Sequence, residues 1–470
     1  MAVVRLPLRL ICSVLPVLLL SLCAACGSST TTAGATTDAE TAADGTDSDV
    51  AAAVCGATPV ADPRVADRLA CTYAAGAKVA DTLGISAADR AKLAIGHVIL
   101  VVKENRSFDA IYGRLGRADV EGVPATASNP DKGGAAVGVY HEATTCVQLD
   151  PAHQWSNMHA MWDGGKLDGF VTNAIDNTVG PDELTKATTD GKFVMGGFTP
   201  EDLPFYAFLA NTYALADHYH CSALSGTWAN RLYLYAGQSY GVKNTGTNFV
   251  PDGTRTVFDA LDTAGVTWGV YSDDDFPLDV ALMSLGWNAD HVGVHKTAAF
   301  FEALKAGTLP QVVFIDAKLN NEDEHPPADV QKGEAWTKAI YDAVVASSIW
   351  LDKDGKGVAL VYTYDESGGF FDHVAPPAAC LAAPDQAEFD HLGFRVPFVM
   401  ISPFARQKYV SHAVHSHSSL LRFLEVLYDL PAMSARDANA DALLDMFDFN
   451  CAPLKTPPTA PASGTGGCKP

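Results

Sequence analysis

The chain has 470 residues, with 32 Lys and Arg against 55 Asp and Glu, giving a net charge of -23 and a pI near 4.8. That balance excludes a basic surface built to grip nucleic acid or polyphosphate, and it leaves any anionic substrate in need of a cation nearby. It also suits an exported protein kept soluble by self-repulsion, and with 48% hydrophobic residues the length is ample for a large core.

Arg5 and Arg9 precede an apolar run, Leu10 to Leu22, that is too short for a stable membrane span, so residues 1–25 read as a signal peptide. Leu22-Cys23-Ala24-Ala25-Cys26-Gly27 resembles a bacterial lipoprotein processing site, which would make Cys26 the lipidated first residue. The plainer alternative is ordinary cleavage near Ala25. Residues 26–53 are dominated by Ser, Thr, Ala, Gly and Asp without an aromatic residue, so they cannot bury a core. They are expected to form a disordered tether, followed by a catalytic domain over 54–450 and a tail over 451–470.

The first strong element is the apolar run Ile95 to Val102, which passes through Lys103 into Glu104-Asn105-Arg106-Ser107-Phe108-Asp109. It reads as a strand buried on both faces. Thr256 to Ala264 has a helical pattern that stops at Gly265 and leads into a strand from Val266 to Tyr271, followed by Asp273-Asp274-Asp275. A strand over Val312 to Ile315 ends in Asp316. A helix over Glu334 to Ser347 places Trp336, Ile340 and Val344 on one face. Gly357 to Tyr364 is a second wholly apolar strand, and it delivers Asp365 and Glu366 to the same sheet edge. Val396 to Ser402 is a further strand, and Ser418 to Tyr428 an amphipathic helix. Strands alternating with helices imply an α/β fold: a doubly wound, mostly parallel sheet flanked by helices, with ligands bound at the strands' carboxyl edge. The long irregular stretches 113–200 and 374–393 are expected to roof the active site. Two buried strands ending in oxygen donors point to one shared metal.

Seven cysteines follow the targeting segment. In an exported protein they should largely pair, with Cys55–Cys71, Cys451–Cys468 and Cys146–Cys380 the expected bridges and Cys221 left free and buried. No Cys/His cluster has the spacing of a structural zinc site.

Glu104-Asn105-Arg106-Ser107-Phe108-Asp109, Trp162-Asp163-Gly164-Gly165-Lys166-Leu167-Asp168-Gly169-Phe170, Gly226-Thr227-Trp228-Ala229-Asn230-Arg231, Glu324-His325-Pro326-Pro327 and Tyr364-Asp365-Glu366-Ser367-Gly368-Gly369-Phe370-Phe371-Asp372-His373 follow one another in order. Together they resemble the bacterial phosphoesterase family of phospholipases C and acid phosphatases, whose core is related to alkaline phosphatase. The resemblance implies that Glu104, Asn105, Thr227, Asp365 and Glu366 bind one divalent metal, with Thr227 also the nucleophile. An all-oxygen donor set favours calcium, magnesium or manganese, and zinc is also compatible. A threonine hydroxyl needs such activation to attack phosphorus. By the same resemblance His159 and His325 serve phosphoryl binding and leaving-group protonation, and His153 and Asn230 contact substrate. Ser225 and Ala229 stand where the family usually has prolines, and Ser367 replaces a frequent histidine.

Each residue taken alone has a plainer reading. Asn105 could cap a helix, Thr227 could be a turn hydroxyl, and His325 could merely fix a loop. His412, His415 and His417 read as loop and cap residues at the start of the last helix. Gly164-Gly165-Lys166 lacks the spacing of a nucleotide loop, and neither Ser225 nor Ser367 lies in a Gly-x-Ser-x-Gly elbow. The expected activity is phospholipase C on a phospholipid. The alternatives are a broad acid phosphatase on monoesters and an inactive, surface-tethered binding lipoprotein.

Overall fold

Eight strands make the central sheet: β1 (Ile95–Lys103), β2 (Ala214–Ala216), β3 (Trp268–Ser272), β4 (Val294–His295), β5 (Val312–Asp316), β6 (Gly357–Tyr364), β7 (Phe398–Ile401) and β8 (Val410–Ser411). Their order across the sheet is β4-β3-β5-β1-β6-β7-β2-β8. Among the described residues only β7 runs against its neighbours, while the other strands are parallel. The computed structural model describes residues 59, 62–180, 186–246, 254–274 and 294–466. The signal and tether segments, Cys26, Cys55, Asp275 and Cys468 lie outside them.

The longest apolar runs fall at the centre, where both faces are covered. All of β6 is buried, and β1 is buried from Val98 to Lys103. Burying one such Val, Leu or Ile side chain is worth about 1.5–3 kcal/mol, so a one-residue slip of either strand would be costly.

The longer described helices are α1 (Trp155–Trp162), α2 (Phe170–Asn177), α3 (Pro204–Thr212), α4 (Thr227–Ala236), α5 (Val257–Ala264), α6 (Thr297–Ala306), α7 (Val330–Val345) and α8 (His417–Tyr428). Helix α5 starts at a Thr256/Asp259 capping box and stops at Gly265, whose φ of 70° is left-handed. Both limits match the sequence pattern. Helix α7 begins earlier than its apolar spacing implies, because Asp329 caps it by accepting from the Gln331 N–H. Among the described residues no helix is long and apolar enough to cross a membrane.

The stretch 113–200 holds α1, α2 and short two-stranded ribbons around a small core that includes Met158, Met161 and Phe170. The 374–393 segment lies against α1: Phe389 packs on Trp155, and His391 on Trp162. Two expected bridges, Cys55–Cys71 and Cys146–Cys380, do not form. Cys71 pairs with Cys380, not with Cys55, so Cys146 is bonded elsewhere. Nearness in sequence misled, because Cys71, in the turn after residues Val65–Leu69, stands beside the roof segment with its Cα 5.4 Å from that of Cys380. Cys221 is free and buried.

Candidate active site

Lys103 of β1 and Tyr364 of β6 are register partners, so the next residues, Glu104 and Asp365, emerge side by side at the carboxyl edge. Strand β5, on the other side of β1, ends there with Asp316. Asn105 turns the chain sharply with a φ of 61°, a conformation asparagine tolerates better than most residues. The turn after Glu366 fits closely over it. A Cβ at Gly368, itself at φ 65°, would stand 2.5 Å from the Asn105 carbonyl oxygen.

Helix α4 supplies the third component. Extended Gly226 precedes it, Thr227 is its first residue and is buried, and Arg231 follows one turn later. The Arg231 guanidinium donates to Asp365 Oδ2 at 3.2 Å, Glu104 Oε1 at 3.2 Å and Asp316 Oδ1 at 2.9 Å. Three acids from three strand ends therefore meet through one cation. Burial pushes the Glu104 carboxyl well up, the charge of Asp365 adds to this, and Arg231 opposes it. Asp365 is likewise raised by burial and held back by Arg231.

Asn230 is placed differently from its expected role. Its Oδ1 accepts from the Ala223 N–H, and its Nδ2 donates to the carbonyls of Ser225 and Gly226 at 2.8 and 3.2 Å. The amide is spent on shaping the turn that presents Thr227, which is a positioning task rather than a substrate contact.

His153 closes the opposite wall. A Cβ at Gly226 would lie 3.6 Å from the His153 ring, so the ring stands next to the turn carrying Thr227. His153 Nδ1 bonds the Pro151 carbonyl at 2.7 Å, which turns Nε2 towards Glu366 Oε1 at 3.3 Å. Burial disfavours the charged ring, but Glu366 and Asp150 outweigh it and bring the His153 pKa up to about 9. His325 bonds the Pro326 carbonyl through Nδ1 and points Nε2 towards Asp150 Oδ2 at 3.9 Å. His159 is not brought to this cluster by any described contact. Its Nδ1 bonds the Trp155 carbonyl, and its ring lies against Trp155 and Trp162.

Whether a divalent cation fits can be tested on the polar atoms left over. Both amide atoms of Asn105 are buried without a hydrogen-bond partner, and Glu366 Oε1 has only the His153 ion pair at 3.3 Å, a state that a bound cation would relieve at the oxygens. The residues fit such an ion. The groups of three His, Asp or Glu donors among the described residues whose atoms lie within 4.8 Å of one another are Asp150–His153–His325, Asp109–Asp372–His373 and His415–Asp441–Asp445, and none contains Glu104, Asp365 or Glu366. The second is already neutralised by Arg395, which donates to Asp109 and Asp372 at 2.9 Å. In the third, His415 is a buried ring set between two acids rather than a loop residue, with Asp441 3.1 Å from Nδ1 and Asp445 3.7 Å from Nε2.

Sequence reading missed three contributors. Arg231 ends the Gly226-Thr227-Trp228-Ala229-Asn230-Arg231 motif, four beyond Thr227 on the same helix face, but only its partners reveal its role. Asp150 had no visible signal. His417, read as a cap, is the buried first residue of α8, and its Nε2 bonds the Asp365 carbonyl at 2.7 Å.

The phosphoesterase family model matches residues 95–431. Non-specific phospholipase C1 of Arabidopsis thaliana is 30% identical over 401 residues, covering 77% of this chain and 72% of that protein. Phospholipase C A of Mycobacterium tuberculosis is 29% identical over 426 residues, covering 77% and 79%. Among solved structures, the lipoteichoic acid synthase LtaP of Listeria monocytogenes aligns with a TM-score of 0.40 at 8% identity, covering 77% of this chain and 79% of that one. A match over more than half of the chain shows that it belongs to the phosphoesterase family, hydrolases of phosphoric ester bonds.

Proposed function

We propose that the protein is an exported phospholipase C, dependent on one divalent cation, that cleaves the glycerol-side phosphoester of a phospholipid through a phosphothreonine. Its relatives carry the name phospholipase C. The observation that carries the mechanism is the placement of Thr227 at the start of α4, beside His153 and one turn from the Arg231 that joins Glu104, Asp365 and Asp316.

Glu104, Asn105, Asp365, Glu366 and Thr227 would hold the cation, which when bound favours the threonine alkoxide and offsets charge on the phosphoryl group. The chain's own residues do the rest. The first turn of α4 offers backbone N–H groups to the phosphoryl oxygens. The Thr227 hydroxyl loses its proton to solvent, and its Oγ attacks phosphorus, forming a new P–O bond while the bond to the glycerol oxygen breaks. A histidine, His325 or His153, gives its proton to that oxygen. The same histidine then takes a proton from water as water attacks the phosphothreonine, releasing the phosphorylated head group and the Thr227 alkoxide, which regains its proton from solvent. Export and lipidation at Cys26 are part of this reading and rest on the N-terminal sequence.

The test is hydrolysis of p-nitrophenylphosphorylcholine beside p-nitrophenyl phosphate, with and without chelator. Chelator-sensitive turnover of the first is expected. Turnover of the monoester alone would make the protein an acid phosphatase, and turnover of neither by cation-loaded protein would leave a binding lipoprotein.

A further inference from the structure

Glu324 lies next to His325, yet the mechanism above gives it no task. It is fully buried, and as a non-glycine residue at φ 76° it holds a strained backbone conformation. Space for its side chain depends on Gly333, where a Cβ would overlap the carboxylate. A residue forced into such a position is held there by its surroundings, and those surroundings are specific. Oε1 accepts from the Tyr206 hydroxyl and lies 3.2 Å from Lys103 Nζ, and Oε2 accepts from the Tyr364 hydroxyl.

Lys103 and Tyr364 are the last residues of β1 and β6, and each immediately precedes a proposed cation ligand, Glu104 or Asp365. The two are register partners and send their side chains to Glu324, whereas the next residues send theirs to Arg231. Successive residues of extended chain point to opposite sides. The strand ends are thus gripped from one side by a buried carboxylate and from the other by a buried guanidinium. A backbone bond from the Glu104 N–H to the Asp323 carbonyl, 2.9 Å long, ties the same two segments again.

We propose that Glu324 is a positioning residue, clamping the ends of β1 and β6 opposite Arg231 and setting Glu104, Asp365 and its own neighbour His325 in one constellation. The inference rests on the reading of these three as active-site groups. A displacement of about 1 Å in such a constellation can cost about 10²-fold in rate, so a carboxylate that touches no substrate can still govern turnover.

A buried ion pair that only stabilises the fold is the competing explanation, and three variants separate the two. Glu324→Gln keeps volume but removes charge and an acceptor. Tyr364→Phe removes one hydroxyl without changing charge. The double variant Lys103→Met/Glu324→Met replaces the pair by apolar groups, an exchange that often preserves stability. Thermal unfolding, Mn2+ affinity by calorimetry, and kcat and KM on p-nitrophenylphosphorylcholine are measured for each.

Glu324→Gln should weaken Mn2+ binding and lower kcat by about 10–100-fold with little change in KM, and Tyr364→Phe should do the same to a smaller degree. The Met pair should unfold near the wild-type temperature yet remain impaired in both. If the Met pair binds Mn2+ and turns over within about threefold of wild type, where the clamp requires a loss of about 10-fold or more, the positioning role is overturned. Wild-type protein that binds no Mn2+ overturns it as well. Wild-type protein that binds Mn2+ but hydrolyses neither ester removes the proposed function alone, and the variants' affinities then decide the role of Glu324.

Discussion

At the scale of single residues, Thr227 and Arg231 should respond in different ways. Thr227→Ala removes the proposed nucleophile but leaves the helix start that Gly226 and Asn230 shape, so turnover should fall by roughly 10³-fold or more with Tm nearly unchanged. Ordinary activity in this variant would end the phosphothreonine mechanism. Arg231→Met instead leaves Glu104, Asp365 and Asp316 facing one another in a buried space without their guanidinium. Breaking such a buried pair costs about 3–5 kcal/mol, so this variant should unfold more readily, and adding Mn2+ should recover part of the loss. Urea titrations with and without Mn2+ check both statements. The sequence exposed these residues unevenly. Acids at the ends of apolar strands declare themselves, because idle charge there is expensive. Arg231 stands in a motif but its role is not marked, since an arginine within a helix is ordinary until its partners are known. Asn230 shows the reverse error: its place in a motif suggested substrate contact, while its amide serves the backbone of the turn.

At the scale of elements, the buried strands were readable and the roof was not. β1 and β6 are apolar throughout because both faces are covered, and that pattern survives without knowledge of neighbours. The reversed direction of β7 leaves no trace in composition, because an antiparallel strand inside a covered sheet is as apolar as a parallel one. Short β2 and β8 escaped notice for lack of length. Helices α1 and α2 were hidden in 113–200, where packing against the roof rather than the sheet blurs the usual polar and apolar faces. The turn joining β6 to the roof allows a direct check. Gly368 holds φ 65° and lies against the Asn105 carbonyl, so Gly368→Ala must displace Asn105 or strain itself. The expected result is a loss of about 1–3 kcal/mol in stability together with weaker Mn2+ binding, read by unfolding and calorimetry. Stability lost at unchanged affinity would show that the turn does not set the Asn105 side chain.

At the scale of the whole molecule, covalent closure and protonation act on the same fold. The Cys71–Cys380 bridge joins residues 309 apart and fastens the first described helix to the roof segment. In the chain-entropy view so long a loop restrains the unfolded state strongly, so Cys71→Ser/Cys380→Ser should lose about 2–4 kcal/mol while the sheet edge keeps its geometry. Protonation works through His220, which is buried beneath the roof with Nδ1 bonded to the Gly393 carbonyl at 2.9 Å. Burial lowers its pKa to about 3, and the nearby Arg395 adds to this, against an unfolded value near 6.5. Below pH 6.5 the unfolded chain takes up a proton that the folded chain refuses, so this group subtracts stability as pH falls from 6.5 towards 3. The slope approaches about 1.4 kcal/mol per pH unit once the unfolded imidazole is fully charged. Glu334 acts in the opposite sense. Burial raises its pKa to about 7, so the folded chain holds a proton that the unfolded chain releases, and stability is lost as pH rises from the ordinary carboxyl value to 7. The two effects are separable by substitution. His220→Gln should flatten the decline in urea midpoint between pH 6 and pH 4 relative to wild type, and an unchanged slope would mean that the ring is charged within the fold.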